Sequence, residues 1–211
     1  MKKAAGVLIT LEGNEGSGKS TQIKLLYNYL KRQGHPVFLT REPGGTRTSD
    51  AIRKTLLDNK NVRITPLCET LLYMASRAQL VEEVIKPKLR AGRIVLCDRW
   101  LDATVAYQGY GGGVDVGWIK SLGRTATQGI SPRLSLFLDL PLAVGLKRAI
   151  SHKKADRMER KNFLFHKRVR QGYLKIAKTE PKRFKRIEVR PGESVADIHK
   201  KIKKAAQSVI R

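Results

Sequence analysis

The sequence is short of cysteine, of acidic residues and of long apolar runs, and each shortage excludes a class of protein. Its two cysteines, Cys68 and Cys97, belong to no CxxC or Cys/His cluster. A disulfide framework and a zinc site are therefore excluded, and a reducing cytoplasm is the expected location. No apolar run approaches the roughly 18 residues of a membrane-spanning helix, so we expect no membrane partner. The apolar run over residues 4–11 continues into Glu12 without a small-residue cleavage site, which favours a buried strand over a signal peptide.

The shortage of acidic residues leaves the chain strongly basic. It has 18 Asp and Glu against 43 Lys and Arg, which gives a formal net charge of +25. The excess is steepest over residues 151–211. Such a surface attracts polyanions, namely nucleotides, nucleic acids or anionic membranes. A proteome rich in lysine and arginine would give the same numbers, so charge alone selects no function.

Short apolar runs alternate with longer amphipathic segments along the 211 residues. Continuous apolar runs predict strands covered on both faces, and apolar residues at helical spacing predict the helices between them. The predicted strands are 7–12, 37–40, 94–98, 134–140 and 187–189. The predicted helices are 19–33, a short helix capped by Ser49 that ends at Leu57, 65–91 with a kink at Pro87 and an end at Gly92, 115–128, 141–150, 163–179 and 194–210. This order predicts one α/β domain over residues 1–211, with a parallel five-stranded sheet, helices on both faces and a short flap at 151–162.

A phosphate-binding loop is predicted between the first strand and the first helix. The motif GxxxxGK[ST] is matched by Gly13, Asn14, Glu15, Gly16, Ser17, Gly18, Lys19 and Ser20, with Thr21 following. Glycines let backbone N–H groups close around phosphate oxygens, and the helix N-terminus adds partial positive charge. In this motif Lys19 would reach the β- and γ-phosphates of ATP, and the Ser20 hydroxyl would hold Mg²⁺. The alternative, a chance match in a glycine-rich turn, is disfavoured by the flanking strand and helix.

Other residues narrow the class of P-loop protein. A GTPase would carry Asn-Lys-x-Asp, and residues 59–62, Asn-Lys-Asn-Val, fail at the last position. A motor or helicase usually needs a longer chain, whereas a three-layer P-loop kinase fold fits this length. Asp98 and Arg99 end the third predicted strand, where open α/β sheets bind ligands. There Asp98 can hold the water shell of Mg²⁺ and Arg99 can clamp a phosphate, although an isolated Asp-Arg pair is usually a surface salt bridge.

Four blocks of sequence resemble the bacterial thymidylate kinase family, from the first strand to the last helix. They are Glu12–Thr21, Thr40-Arg41-Glu42-Pro43-Gly44-Gly45-Thr46, Asp98-Arg99-Trp100 with Ala106-Tyr107-Gln108-Gly109, and Asp156-Arg157-Met158-Glu159. Arg-Glu-Pro-Gly-Gly together with Ala-Tyr-Gln-Gly is much more specific than the phosphate-binding loop alone. The resemblance implies transfer of the γ-phosphoryl group of ATP to the 5′-phosphate of dTMP, assisted by Mg²⁺. The acceptor oxygen is already ionised, so positioning and charge neutralisation carry the catalysis without a general base.

The resemblance also implies a role for each matching residue. Lys19, Arg99 and Arg157 would be the catalytic cations, with Arg157 in a lid over residues 151–162. Ser20 and Asp98 would hold the metal, and Arg148 would pack on adenine beside the loop residues 13–21. The dTMP contacts would be Glu15, Arg41, Pro43, Tyr73, Arg77, Arg99, Thr104, Tyr107 and Gln108. Because Gly16 follows Glu15, the chain looks like the family type that supplies an arginine from the lid.

On the acceptor side, the resemblance implies that Glu15 accepts a hydrogen bond from the 3′-hydroxyl of dTMP. Arg41 and Arg99 would bind its phosphate. Tyr73 would stack on thymine, and Tyr107 would crowd the 2′ position and so favour deoxyribose. Arg77 would hydrogen-bond a carbonyl oxygen of thymine, and Thr104 and Gln108 would also contact the base. Apart from the family, Tyr73 reads more readily as a core residue, Arg77 as a solvated helix face, Arg148 as a surface residue and the basic flap as a solvated loop.

Three positions depart from the family pattern. Ala103 stands where Ser is usual, Gly112 replaces an arginine in the glycine-rich loop after Gln108, and His152 and Lys153 occupy the place of a lid arginine. Lysine is a weaker substitute where a planar fork is needed, so these changes would weaken acceptor binding or slow turnover. Arg157 and Arg160 remain available in the lid.

Two alternative functions stay open. One is another nucleoside or deoxynucleoside monophosphate kinase on the same fold, because base choice depends on pocket geometry. The other is a basic nucleic-acid-binding P-loop protein, which would need aromatic residues among its basic ones. The C-terminal third has few aromatic residues, so no specific nucleic-acid partner is expected. Family members are commonly homodimers that pair through helices, and the helix predicted over 65–91 could serve here.

Overall fold

A parallel five-stranded sheet forms the centre of the molecule. The computed structural model describes residues 6–152 and 155–210, except the side chains of 150–152. The strands are β1 (Val7–Gly13), β2 (Val37–Arg41), β3 (Ile94–Asp98), β4 (Leu134–Asp139) and β5 (Phe184–Glu188). Their order is β2-β3-β1-β4-β5, and every neighbouring pair is parallel. The predicted fold class is thereby confirmed.

The register of the sheet brings several strand ends to one edge. Leu11 pairs with Asp98, Arg41 also pairs with Asp98, and Gly13 pairs with Leu138. Because all the strands run the same way, the residues that follow β1, β2 and β3 emerge together at the carboxyl edge of the sheet. This is where an open α/β sheet binds its ligands.

Helices cover both faces of the sheet. They are α1 (Lys19–Arg32), α2 (Arg47–Leu57), α3 (Pro66–Leu80), α4 (Lys86–Arg90), α5 (Leu101–Thr104), α6 (Val116–Ala126), α7 (Leu142–His152), α8 (Phe163–Thr179) and α9 (Val195–Gln207). Two π-helical turns extend this set: π1 (Val81–Ile85) joins α3 to α4, and π2 (Val105–Gly111) continues α5. No helix in the described part of the chain is long and apolar enough to span a membrane.

Alternate residues of the strands fill three hydrophobic clusters. Ile9 and Leu11 of β1 pack with Leu26 of α1 and Ile202 of α9 on one face. On the other face, Phe137 of β4 packs with residues of π2 and α8, and a third cluster joins residues of β1 and β3 to α3 and π1. Burial on both faces explains why the three inner strands read as nearly continuous apolar runs.

Two predicted helix features differ from the structure. The prediction that Ser49 caps α2 is wrong: Thr46 is the N-cap, and its hydroxyl accepts a hydrogen bond from the Ser49 N–H at 3.1 Å. The helix predicted over 65–91 is not a single kinked helix but α3, π1 and α4 in succession. Pro87 has no N–H to donate, and the π-helical turn directly before α4 is a common way for a helix to absorb such a disruption.

The segment after β3 is more helical than predicted. The sequence suggested a glycine-rich loop after Gln108, whereas π2 continues to Gly111. The glycines allow close packing: a Cβ on Gly111 would lie 2.8 Å from side-chain atoms of both Phe165 and Val169 in α8. π2 therefore packs directly against α8, and this contact positions Tyr107 and Gln108.

Candidate active site

A cavity of about 440 Å³ opens at the carboxyl edge of the sheet. Seventeen of the predicted site residues line it: Glu15, Gly16, Ser17, Gly18, Lys19, Ser20, Thr21, Arg41, Pro43, Tyr73, Arg77, Asp98, Arg99, Thr104, Tyr107, Gln108 and Arg148. The predicted residues that do not line it are Gly13, Asn14 and Arg157. Residues from distant parts of the chain, from Glu15 to Arg148, thus line one cavity, as the family resemblance implied.

Lys19 is folded over its own phosphate-binding loop. Its Nζ donates to the carbonyl oxygens of Gly13 and Asn14, at 2.9 and 2.8 Å. Left-handed backbone at Gly16 and Gly18, with φ of 65° and 90°, curls the loop around this ammonium group. Burial and the charge of Arg99 lower the pKa of Lys19 to about 8, against the opposing effect of Glu15.

The loop also lies against α7, the helix that leads to the lid. A Cβ on Gly16 would lie 2.0 Å from the carbonyl oxygen of Gly145, and a Cβ on Gly145 would lie 2.5 Å from that of Glu15. Neither position has room for a side chain. This contact gives a physical reason for glycine at position 16, where an arginine would collide with α7.

Arg99 is held by the loop and by two tyrosines. One Nη atom donates to Glu15 Oε1 at 2.9 Å and to the Tyr107 hydroxyl at 3.1 Å. The other Nη atom donates to the Gly13 carbonyl and the Tyr173 hydroxyl, both at 3.2 Å. Arg99 has a φ of 73°, a strained conformation for a non-glycine residue that turns its side chain back over the sheet edge.

The charge of Glu15 is strongly stabilised in this arrangement. Burial opposes ionisation, but Arg99, Lys19 and a hydrogen bond from Tyr107 outweigh it and lower the pKa of Glu15 to about 2. The carboxylate that the resemblance assigns to the 3′-hydroxyl is therefore ionised and already paired with the arginine assigned to the phosphate.

Tyr173 and Glu12 also help to hold Arg99, and neither role was predicted from the sequence. The Tyr173 hydroxyl donates to Glu12 Oε2 at 3.1 Å while accepting from Arg99. Burial raises the pKa of Glu12 well above its usual value, with Asp102 adding to the effect. Tyr173 lies in α8 at helical spacing that reads as core, so its contact with Arg99 appears only once the sheet is assembled.

The base side of the cavity is built around Arg77. It is 2% exposed, which excludes the solvated helix face considered above. Its Nη2 lies 2.7 Å from Glu42 Oε2 and donates to Thr104 Oγ1 at 3.0 Å. Burial raises the pKa of Glu42, although Arg77 opposes this. Tyr73, four residues earlier on α3, is half-buried and lines the cavity, whereas its neighbour Met74 belongs to the core.

Arg157 does not face the cavity in this structure, contrary to the role predicted for it. Its side chain is 4% exposed and pairs with Glu69, and its Nε donates to the Leu56 carbonyl at 2.8 Å. Of the other basic lid residues, Lys153, Lys154 and the side chain of His152 lie outside the described part of the chain, and Arg160 is exposed. Glu69, a buried carboxylate on α3 that no motif marks, holds the Arg157 side chain in the interior.

Arg53 is a further cation that the sequence analysis missed. It lines the cavity from α2, and its Nη1 donates to the Pro43 carbonyl at 2.8 Å. Burial and the neighbouring charge of Arg41 lower its pKa. No motif marks Arg53, and the signal available was its place in the helix that follows the Arg-Glu-Pro-Gly-Gly block.

The donor atoms at the loop fit a magnesium ion bound together with a nucleotide. The Ser20 hydroxyl donates to Asp98 Oδ2 at 3.3 Å, and Asp98 Oδ1 is buried with no hydrogen-bond partner in the described structure. Within residues 6–152 and 155–210 no group of three or more His, Cys, Asp or Glu could hold a metal ion. One carboxylate plus substrate phosphates is nevertheless the usual magnesium site of phosphoryl-transfer enzymes.

Comparisons with known proteins identify the family of the chain. The family model for thymidylate kinase matches residues 11–202. Thymidylate kinase of Geotalea uraniireducens is 52% identical over 185 residues, which cover 85% of this chain and 87% of that protein. Thymidylate kinase of Caldanaerobacter subterraneus is 42% identical over 206 residues, covering 98% and 97%. The crystal structure of thymidylate kinase from Ehrlichia chaffeensis superposes with a TM-score of 0.78 at 34% identity, covering 97% of this chain and 99% of that one. With the match spanning nearly its whole length, the chain belongs to the thymidylate kinase family.

Proposed function

We propose that this protein transfers the γ-phosphoryl group of ATP to the 5′-phosphate of dTMP, giving dTDP and ADP. The observation that carries the proposal is one cavity bounded by a phosphate-binding loop on one side and by the base wall of Tyr73, Arg77 and Gln108 on the other. An oxygen of the dTMP phosphate attacks the γ-phosphorus, and the bond from that phosphorus to the leaving ADP oxygen breaks. Family membership favours this reaction over other monophosphate kinases and over nucleic-acid binding.

The loop residues 13–21 bind the ATP phosphates through backbone N–H groups, and Lys19 neutralises the β- and γ-phosphates. Ser20 and Asp98 would hold Mg²⁺, which when bound supplies positive charge to the phosphate oxygens. Arg148, beside Gly16 at the start of the lid segment, packs on adenine. In this account the whole chain, 1–211, acts as one domain.

The acceptor is bound by residues from four elements. Arg41 and Arg99 hold the dTMP phosphate with Pro43 beside them, and Tyr73 stacks on thymine. Arg77, Thr104 and Gln108 read the base edge, Tyr107 excludes a 2′-hydroxyl, and Glu15 accepts from the 3′-hydroxyl. Arg99 donates to Glu15 and Tyr107 in this structure, so the dTMP phosphate must replace part of an existing ion pair when it binds.

Arg157 becomes a catalytic cation in this proposal only when the lid closes. It would have to leave Glu69 and the Leu56 carbonyl to approach the transferring phosphoryl group. Lys19 and Arg99 already border the cavity and provide charge stabilisation from the outset.

We also propose a homodimer in the cytoplasm, without a specific nucleic-acid partner. Leu67 and Leu71, one turn apart on α3, are 52% and 47% exposed, and nearby Val62 is 72% exposed. An apolar strip of this kind is suited to pairing with a second copy. The two cysteines are free thiols, which suits a reducing compartment.

The test of the reaction is ADP release from Mg-ATP with a panel of nucleoside monophosphates. We expect dTMP to be turned over fastest, dUMP much more slowly and UMP more slowly again. Lys19→Ala and Arg99→Ala should each lower kcat by at least about a hundredfold. Lys24→Ala, at an exposed position on α1, is the matched control and should retain the wild-type rate. Preference for another monophosphate, or a wild-type rate in Lys19→Ala, would contradict the proposal.

A further inference from the structure

We propose that Glu69 is a positioning residue that sets base specificity by fixing which end of the Gln108 amide faces the acceptor base. The proposal rests on the proposed function, because it assumes that the base lies against Gln108. Neither the motifs nor the sequence blocks of the family resemblance include Glu69.

Glu69 is a buried carboxylate between two donors. It lies in the first turn of α3 and is 3% exposed. Its Oε2 accepts from Gln108 Nε2 at 3.1 Å, and its Oε1 accepts from Arg157. A second cation lies nearby, with Lys161 Nζ 3.9 Å from Oε1. Both of its oxygens accept from nitrogen donors, so Gln108 meets an acceptor on this side.

An acceptor-only neighbour removes the usual freedom of a glutamine side chain. An amide has a donating end and an accepting end, which can exchange by a half turn about the last bond. Glu69 can accept from the NH₂ group but can form no hydrogen bond with the carbonyl oxygen. Gln108 is 1% exposed and lines the cavity, and no residue in the described ranges donates to its Oε1. The NH₂ end is thus anchored on α3, which leaves the oxygen for the ligand.

An acceptor at this place selects the polarity of the base. Thymine and uracil carry an N–H group at ring position 3, flanked by carbonyl oxygens, whereas cytosine has a lone pair there and an amino group beside it. Arg77 on the same wall is a pure donor that suits a carbonyl oxygen. Together Arg77 and Gln108 match the donor and acceptor order of thymine and oppose that of cytosine. A pocket whose polar groups would be left unpaired by the wrong ligand discriminates strongly.

The first variant replaces the carboxylate by an amide of the same shape. In Glu69→Gln the amide oxygen stays toward Arg157, which only donates, so the NH₂ group faces Gln108. The Gln108 amide then turns its oxygen to position 69 and its NH₂ group to the base. The ratio of kcat/KM for dTMP to kcat/KM for dCMP should fall by at least about tenfold. We expect the change mainly in the KM for dTMP, with the KM for ATP unaltered. Glu83→Gln, an exposed position in π1, is the matched control and should leave the ratio unchanged.

The second variant exchanges the two groups. In Glu69→Gln with Gln108→Glu, the carboxylate at position 108 accepts from the amide at 69 and still presents an oxygen to the base. This double variant should recover most of the dTMP preference. If Glu69→Gln melts too low for kinetics, the double variant carries the test alone, and equal use of dTMP and dCMP by it would overturn the proposal.

A purely structural role for Glu69 gives a different result. It would lower turnover with dTMP and dCMP by the same factor, and the double variant would not restore the ratio. An unchanged ratio in a well-folded Glu69→Gln, or an equal loss for both substrates, overturns this inference. A wild-type chain that fails to prefer dTMP would instead overturn the proposed function itself, so the two failures are distinct.

Discussion

Lys19 and Arg99 already hold protein partners at the places where the phosphates are expected. The lysine donates to two carbonyl oxygens of its own loop, and the arginine is paired with Glu15. Substrate binding is therefore an exchange in which phosphate oxygens replace carbonyl and carboxylate oxygens. Because the cations are pre-positioned, few side chains have to be ordered at the moment of binding.

The lowered pKa of Lys19 makes a pH dependence of ATP use expected. A pKa of about 8 leaves the ammonium group protonated below that pH and neutral above it. Only the protonated form attracts phosphate, so kcat/KM for ATP should decline as pH rises through 8. At pH 9 it should be roughly tenfold below its plateau at pH 7, because kcat/KM for ATP reports the enzyme before ATP binds. Steady-state rates at saturating dTMP between pH 6.5 and 9.5 measure this.

Lys19→Arg separates the titration of Lys19 from that of other groups. A guanidinium keeps its charge throughout this range. The variant should be slower at every pH, and its kcat/KM for ATP should stay level up to pH 9.5. A decline near pH 8 in both proteins would assign the titration to a different residue.

Motifs identified the residues for which we propose phosphate contacts, and missed those that hold them in place. Lys19, Asp98 and Arg99 were found because their chemistry needs fixed local spacing. Glu69 lies 39 positions from Gln108, and Tyr173 lies 161 positions from Glu12. No local pattern records contacts at such distances, since they arise only when α3 and α8 pack on the sheet. The pairing of Arg157 with Glu69 was missed for the same reason, because this partner lies on another element.

The helix α7 couples the phosphate-binding loop to the lid through one close contact. Gly145→Ala would place a Cβ about 2.5 Å from the Glu15 carbonyl oxygen, a distance that backbone atoms cannot accommodate without moving. We expect the loop to shift and the KM for ATP to rise by at least about tenfold, because small displacements at a phosphate site are costly. Steady-state kinetics together with a thermal melt measure the effect.

Gly117→Ala in α6 is the control for this prediction. Its added Cβ would meet only the Asp115 carboxylate, at 3.2 Å, which caps α6 and does not line the cavity. Alanine favours helix over glycine, which offsets the disturbed cap, so this control should keep the wild-type KM for ATP and a similar melting temperature. An unchanged KM for ATP in Gly145→Ala would show that α7, and not the loop, moves to accommodate the added Cβ, which would contradict the prediction.

Strands were easier to predict than the helical segment over 101–111. The three inner strands, β3, β1 and β4, carry nearly continuous apolar runs because the sheet is covered on both faces, whereas the edge strand β5 has exposed charged residues among its five. The segment α5–π2 contains Gly109 and Gly111, residues that usually break helices. Tertiary packing overrides that preference, since α6 leaves little space for a side chain at Gly109 and α8 leaves none at Gly111. Helix propensity could not reveal this, because the space is set by other elements.

The proposed dimer can be tested at α3. Leu71→Glu would bury a charge in an apolar interface, and we expect sedimentation velocity to show a shift from dimer to monomer. Val195→Glu, at a position that is 52% exposed on α9, is the control and should remain dimeric. If both variants sediment as the wild type does, the interface lies elsewhere.

The order of strands in the sheet has a consequence for how the protein is made. β1, the central strand, is synthesised first, while its neighbours β3 and β4 come much later in the chain. At about 5–20 residues per second, roughly 6 to 24 s pass between completion of β1 and the start of β4. During that time at least one edge of this apolar strand is unpaired and available to other chains. Ribosomes paused before β4 should therefore carry a nascent chain that depends on chaperones, and codon changes that slow this stretch should lower the soluble yield without altering the finished enzyme.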